Sequence, residues 1–282
     1  MQGFFEYLNI PYAGCDVCAS AVGMDKWAMK SLFKSAGLPV VEGILTHKKK
    51  WFHDTEAEVQ RVEAACGGYP VVVKPVNLGS SIGISKARDR QQLEEAVETA
   101  MEYADRVIVE TCVANLREIN CSVLGDLDEC QSSVCEEPLN ATDILTFGDK
   151  YESGAKGSSK GMESLSRKIP ADLPEDVTEK IQNLAAEAFR AINGNGVARI
   201  DFMMNNETGE VFINEINTIP GSLAFYLWQE SGIAFDELLD KMIWLAIKRK
   251  REKDALTVTF DTNILANNAL GGSKGSKMGS KR

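Results

Sequence analysis

Apolar positions recur along the chain in two rhythms, one of three to four residues and one of two, and the switches between them mark out short helices and strands. Leu93, Ala96, Val97, Ala100 and Met101 share one face of a helix predicted over 90–104, with Glu94, Glu95 and Glu98 outward. Val177, Ile181, Leu184, Ala188 and Ile192 repeat at helical spacing after Pro170 and read as a core-facing stripe. A short basic helix is expected over 26–35, stopped by Gly37-Leu38-Pro39, and another over 56–65, stopped by Gly67-Gly68. Runs rich in β-branched residues predict strands at 40–45, at 69–74 with Lys74 closing it, at 106–110 and at 118–124. Val197 to Met204 alternates cleanly, with Arg199, Asp201 and Met203 on one face and Ala198, Ile200 and Phe202 on the other. A turn over Asn205–Gly209 then returns the chain as 211–217, with Glu215 and Asn217 on a common side.

The length, 282 residues, allows two domains or one large one, and 44% apolar with 26% charged residues excludes wholesale disorder and fibrous classes. The formal charge is −10, and Lys274, Lys277, Lys281 and Arg282 crowd into the last twelve residues, so the body is more acidic still. Such a body repels nucleic acid and anionic membrane, yet leaves room for a local positive pocket that takes a small phosphate ligand. Seven scattered cysteines, with no secretory leader before them, point to a reducing cytoplasm, and Cys15-Asp-Val-Cys18 has no second pair to build a structural zinc site. No apolar run has the length of a membrane span. Gly3 to Ile10 looks like the end of an amphipathic helix followed by the turn Pro11-Tyr-Ala-Gly14, as if left from a preceding domain. At the other end, 255–265 suggests a final extended segment, and the Gly/Ser/Lys repeat after it has no core-forming period.

Three stretches carry candidate chemistry. Val76-Asn-Leu-Gly-Ser-Ser-Ile-Gly83 sets two glycines and the hydroxyls of Ser80 and Ser81 behind Lys74; it reads as an anion-binding loop or as a plain solvent turn, and it is not a P-loop. The apolar crossing after Glu110 could receive a flat base through its backbone, with Glu118 accepting from hydroxyls; an ordinary interdomain strand fits equally. Residues 143–168 mix four glycines with Lys150, Tyr151, Lys156 and Lys160, as a phosphate-facing lid or an inert excursion would. The sharpest signal is the hairpin: Asp201, Glu215 and Asn217 are hard oxygen donors suited to Mg²⁺, and Arg199 beside them could stabilise a developing anion. A structural hydrogen-bond cluster is the competing reading, disfavoured by the repulsion of two carboxylates without a cation.

The order of Pro11-Tyr-Ala-Gly14, Met24-Asp-Lys26, Val73-Lys-Pro75, Asn77-Leu-Gly-Ser-Ser-Ile-Gly83, Gly196-Val-Ala-Arg-Ile-Asp201 and Asn214-Glu-Ile-Asn-Thr-Ile-Pro-Gly221 resembles the D-alanine–D-alanine ligase family of the ATP-grasp group. The resemblance implies an α/β (α+β) chain with a two-lobed ATP-grasp fold of mixed and antiparallel sheets. The implied division is a remnant and linker over 1–25, a small lobe over 26–115, a large lobe over 116–265 and a disordered tail over 266–282. It further implies that Lys26 and Lys74 bind ATP phosphates, that Glu110, Thr111, Cys112 and Val113 line the adenine crossing, and that Glu118 meets the ribose. Asp201, Glu215 and Asn217 would hold Mg²⁺, or Mn²⁺ in its place. Ser80, Ser81, Lys150 and Tyr151 would cover phosphate and amino acid, with Arg199, Gly221 and Ser222 serving the intermediate and the second substrate. The family reaction forms an acyl phosphate from D-alanine and ATP, which the amine of a second D-alanine then displaces, for peptidoglycan precursor synthesis in the cytoplasm. Full-length architecture would bring a homodimer.

Two features depart from that pattern. Pro220-Gly-Ser-Leu-Ala224 is short where relatives carry more residues, and the resemblance leads to the expectation that the chain starts after the front domain whose acid orients the first ammonium. The expectation is therefore ATP and magnesium chemistry with weak or absent complete ligation. D-serine or D-lactate as second substrate, and a non-catalytic nucleotide-binding module, are the alternatives.

Overall fold

The computed structural model describes residues 1–79, 82–139 and 167–257. Ser80, Ser81, Lys150 and Tyr151, nearly all of the expected lid over 143–168, the segment beyond 257 and the tail lie outside the described residues. Helices α1 (Gln2–Tyr7), α2 (Val17–Met24) and α3 (Lys26–Ser35) lead in. A four-stranded antiparallel sheet follows, from β1 (Gly43–His47), β2 (Val71–Pro75), β3 (Ser85–Ala87) and β4 (Arg106–Thr111), in spatial order β1-β4-β2-β3. Helices α4 (Lys48–His53), α5 (Thr55–Cys66) and α6 (Arg90–Tyr103) supply Trp51, Val59, Val62, Leu93, Val97 and Met101 to one face, against Val71, Val73, Val107 and Val109. Strand alternation turns Val72, Lys74, Ile108 and Glu110 to the other face.

The second sheet joins β5 (Leu116–Gly125), β6 (Cys130–Pro138), β7 (Arg167–Lys168), β8 (Gly196–Asn205) and β9 (Val211–Asn217) in the order β7-β6-β5-β8-β9. Helix α7 (Glu175–Ala191) lays Ile181, Ala185, Ala188 and Phe189 on one face, where Ile119, Cys121, Ala198, Ile200 and Phe202 meet Met29 and Phe33 of α3. Helices α8 (Phe225–Glu230) and α9 (Phe235–Asp254) cover one end of the opposite face, packing Trp228, Leu238, Met242 and Leu245 on Leu124 and Val197. The rest of that face carries Arg199 and Asp201, both half-buried, and the buried Met203, and the site lies on it.

The expected strand over 40–45 begins later, at Gly43. Val40 instead bridges Ile213 of β9, and the Ile213 amide donates to Pro39 O at 2.8 Å, so this stretch ties one sheet to the other. Pro75, rather than Lys74, closes β2. No helix of the described residues is long and apolar enough to cross a membrane.

Candidate active site at the seam of the two sheets

The stretch Met24-Asp25-Lys26 has a local physical meaning. The Asp25 carboxylate caps α3, accepting from the Trp27 and Ala28 amides at 3.1 and 2.9 Å, and also pairs with Arg106 of β4. That cap fixes Lys26, whose amide donates to Val76 O at 2.9 Å and whose Nζ donates to Leu78 O at 2.5 Å. Lys26 Nζ also stands 3.5 Å from Glu215 Oε2 across the seam. From β2, Lys74 Nζ lies 2.7 Å from Glu110 Oε2 and donates to Asn214 Oδ1 at 3.0 Å. Two lysines on the small-sheet side thus converge on the end of β9.

A bulge makes that convergence work. Asp201 stands opposite Glu215, but Phe202 stands opposite Ile213, so Asn214 is the extra residue. Ile213 and Ile216 both remain in the core, while Asn214, Glu215 and Asn217 all face the cleft. Strict alternation would have sent Glu215 to the same side as Ile213. The register then lines up Glu136, Asn120, Asp201 and Glu215 as one polar row across β6, β5, β8 and β9.

In that row, Arg199 grips Asp201 with two hydrogen bonds, Nε to Oδ1 at 2.6 Å and Nη2 to Oδ2 at 2.7 Å, and Asn217 Nδ2 donates to Oδ2 at 3.0 Å. Burial, with the nearby charges of Glu215 and Glu136, still pushes the Asp201 carboxyl up to about 6 against the pull of Arg199. Glu215 moves the other way: burial would raise it, and Lys26, Lys74 and Arg199 hold it below the usual carboxylate range. A divalent cation would relieve the strain between these two acids. The donors fit one, since two carboxylates and the amide oxygen of Asn217 make a hard oxygen set that suits Mg²⁺ or Mn²⁺.

Other expected residues sit as follows. Thr111 donates from both N and Oγ1 to Glu42 O at 3.0 Å, and the Cys112 amide donates to Pro70 O at 3.2 Å, which fixes the crossing that runs through Val113 to β5. Glu118 is half-buried on the face of β5 that carries Asn120. The Glu110 carboxylate lies on the same face of the four-stranded sheet as Lys74, held between Lys74 and Lys30, while its backbone leads into the crossing. Gly221 and Ser222 open a tight left-handed turn in which Ser222, Leu223 and Ala224 have φ of 49°, 55° and 51°.

Five further residues, outside the set that the sequence indicates, join the site. Lys30 lies one helical turn after Lys26, a spacing that could have flagged it. Asn120 Nδ2 and Tyr226 OH donate to Glu136 Oε1 at 2.9 and 3.0 Å, and Arg167 lies over the Tyr226 ring at 4.4 Å. Glu136 and Tyr226 gave no local pattern, because only the pairing of β6 and the placement of α8 bring them near Arg199.

Residues 32–244 match the family described as D-ala D-ala ligase C-terminus. The chain is 45% identical over 254 residues to a D-alanine–D-alanine ligase of Acetivibrio thermocellus, covering 88% of this chain and 64% of that protein. It is 43% identical over 264 residues to one of Bacillus licheniformis, covering 92% and 70%. Among solved structures, the D-alanine–D-alanine ligase of Coxiella burnetii superposes with a TM-score of 0.75 at 32% identity, over 90% of this chain and 65% of that one. The VanG D-Ala:D-Ser ligase of Enterococcus faecalis gives 0.73 at 31%, over 87% and 68%. The chain therefore spans about two thirds of the length of these relatives. With its two sheets meeting in the ATP-grasp manner, it belongs to the D-alanine–D-alanine ligase family.

Proposed function

We propose that this chain carries the ATP-using part of D-alanine–D-alanine ligation, in which a D-alanine carboxylate is phosphorylated and a second D-alanine amine displaces phosphate to form the dipeptide. The observation that carries this reading is the seam itself: buried Lys26 and Lys74 reach Glu215 and Asn214, beside Asp201 and Asn217. Lys26 and Lys74 bind the nucleotide phosphates, and the fixed backbone from Glu110 to Val113 takes the adenine, with Glu118 on the ribose. Held by Asp201, Glu215 and Asn217, Mg²⁺ or Mn²⁺ would neutralise charge on the phosphate oxygens. Arg199, fixed in place by its two hydrogen bonds to Asp201, would stabilise charge that builds up on the transferred group without reorganisation. Ser80, Ser81, Lys150 and Tyr151 would close over the phosphates and amino acid, and Gly221 and Ser222 would receive the acceptor carboxylate. The seven cysteines are all free, which fits a reducing compartment such as the cytoplasm.

One observation supports D-serine as an alternative acceptor. Tyr226, Glu136 and Asn120 place hydroxyl, carboxylate and amide groups beside Arg199, where a hydroxymethyl side chain would find partners. Incubation of the purified chain with ATP, Mg²⁺ and equimolar D-alanine, D-serine and D-lactate, with ADP and each ligation product measured, tests both readings. ADP release that depends on D-alanine, together with a dipeptide, is expected. Nucleotide binding without ADP formation would instead make the chain a non-catalytic nucleotide-binding module.

A further inference from the structure

Lys30, Glu110 and Lys74 form a buried ionic triad at the heart of the small-sheet side. Lys30 is 4% exposed, Glu110 1% and Lys74 6%, and the Lys30 Nζ atom has essentially no surface of its own. Lys30 pairs with Glu110 Oε1 and Lys74 with Oε2. Room for the carboxylate comes from Gly43, which stands opposite Glu110 on β1: a Cβ there would lie 2.9 Å from Glu110 Cγ and 2.7 Å from Val109 O. Burial alone would raise the Glu110 carboxyl, but the two ammonium groups bring it down to about 2, so it is an anion throughout the physiological range.

The charge arithmetic is what matters. Glu110 and Lys74 by themselves form a neutral pair, and a lysine whose charge is cancelled at 2.7 Å has little left for a phosphate. Adding Lys30 makes the triad a net cation, and since Lys30 is sealed behind Glu110, the surplus is expressed at Lys74, the member that also reaches Asn214 across the seam.

We propose that Lys30 is a positioning residue for the nucleotide phosphates: it neutralises Glu110, so that Glu110 can hold Lys74 in place without cancelling its charge, and it touches no ligand itself. This rests on the nucleotide-binding reading given above. The arrangement resolves two requirements that conflict for a lone lysine. A long flexible side chain has to be held in one rotamer, and holding it with a carboxylate ordinarily consumes its charge.

Titration of the full chain with Mg-ATP and, separately, with adenosine tests this, using wild type, Lys30→Met and the double variant Lys30→Met/Glu110→Gln. The expected result is a loss of at least about tenfold in ATP affinity for Lys30→Met with adenosine affinity unchanged, because only the phosphates feel the missing charge. The double variant should return to within about threefold of wild type, since glutamine still offers an oxygen to Lys74 and leaves nothing to neutralise. A double variant as weak as Lys30→Met would overturn the proposal in favour of direct phosphate contact, and equal losses for ATP and adenosine would overturn it in favour of a structural role. Should Lys30→Met not fold, the double variant decides alone, recovery supporting the proposal and a tenfold loss sinking it. Unchanged ATP affinity in a folded Lys30→Met also rejects it while leaving the nucleotide reading intact, whereas a wild-type chain that binds neither ligand removes both.

Discussion

Lys30 sets a pH dependence with a definite sign. Burial pushes its ammonium down to about 8, against the attraction of Glu110 on β4 and with repulsion from Lys74 on β2 and Lys26 on its own helix. Above that pH the triad loses its surplus charge, so ATP affinity should fall as pH rises through about 8 and be flat over that range in Lys30→Met/Glu110→Gln. Stability runs the opposite way. The unfolded chain binds the Lys30 proton up to the ordinary lysine range, so between about 8 and 10.5 the Lys30 contribution to stability grows with pH. Chemical denaturation of wild type and variant at several pH values, beside nucleotide titrations, measures both slopes, and slopes of the same sign would be incompatible with this assignment. Asp201 carries a second expectation at this scale. Asp201→Asn keeps the size of the side chain and a partner for Arg199 but removes charge from the oxygen set, and Mg²⁺-dependent ADP release should drop by about a hundredfold or more while cooperative unfolding persists. Release that stays normal at limiting Mg²⁺ would take Asp201 out of the cation site. Lys26, Lys74, Asp201, Glu215 and Asn217 come together at the seam in the order their motifs suggest, although the bulge, and not strand period, turns Glu215 toward Asp201. Glu110 could not be placed fully, because the direction of its carboxylate is decided by a glycine on one neighbouring element and a lysine on another.

Among the elements, the β8–β9 hairpin was legible down to its turn, because Asn205-Asn-Glu-Thr-Gly209 is polar, ends in a glycine at φ 70° and separates two runs of period two. Its bulge was also written in the chain, in the spacing of Ile213 and Ile216 three residues apart where a regular strand would put apolar residues two apart. Strand β6 escaped notice because its Gln131-Ser-Ser run is polar and only partner strands on both sides make it a central element. The turn at Ser222–Ala224 is the element whose local geometry conflicts with its residues. Three successive non-glycine residues in the left-handed region cost on the order of 1–2 kcal/mol each, held here by Leu223 packing against the cluster around Trp228 and by the burial of Ala224. Ser222 is exposed and makes the cleanest test. Ser222→Gly should raise stability by roughly 1 kcal/mol, about 2–4 °C in unfolding midpoint for a chain of this size. If the strain serves to present the acceptor, the same variant should raise the KM for the second amino acid and leave that for ATP unchanged. A destabilised Ser222→Gly would show that the turn is not strained as its dihedral angles indicate.

The whole molecule carries three separate apolar clusters, and the one built from α4, α5, α6 and the four-stranded sheet shares no member with the two around the five-stranded sheet. What joins the sheets near the cleft is largely polar and chain-based: Lys74 to Asn214, Lys26 to Glu215, and the passage of residues 39–42 from β9 to β1. Such a seam is sparse by itself, resting on two buried lysines that reach across it at 3.0 Å to Asn214 and 3.5 Å to Glu215. A nucleotide with its cation would change that, adding charge-assisted contacts to both sides at once, so binding should be read out as mechanical coupling between the two cores. Mg-ATP at about a hundred times its dissociation constant contributes about 2.7 kcal/mol to the bound state. The unfolding midpoint of wild type should therefore rise by several degrees, and hydrogen exchange should slow at α3, β2 and the end of β9 together, rather than at one lobe only. Lys74→Met keeps most of the aliphatic length while removing the charge that spans the seam, so it should abolish most of the shift at the same nucleotide concentration. Protection confined to the four-stranded sheet, or a full shift retained in Lys74→Met, would mean that the ligand sits within one lobe and that the seam between the sheets is not where it is held.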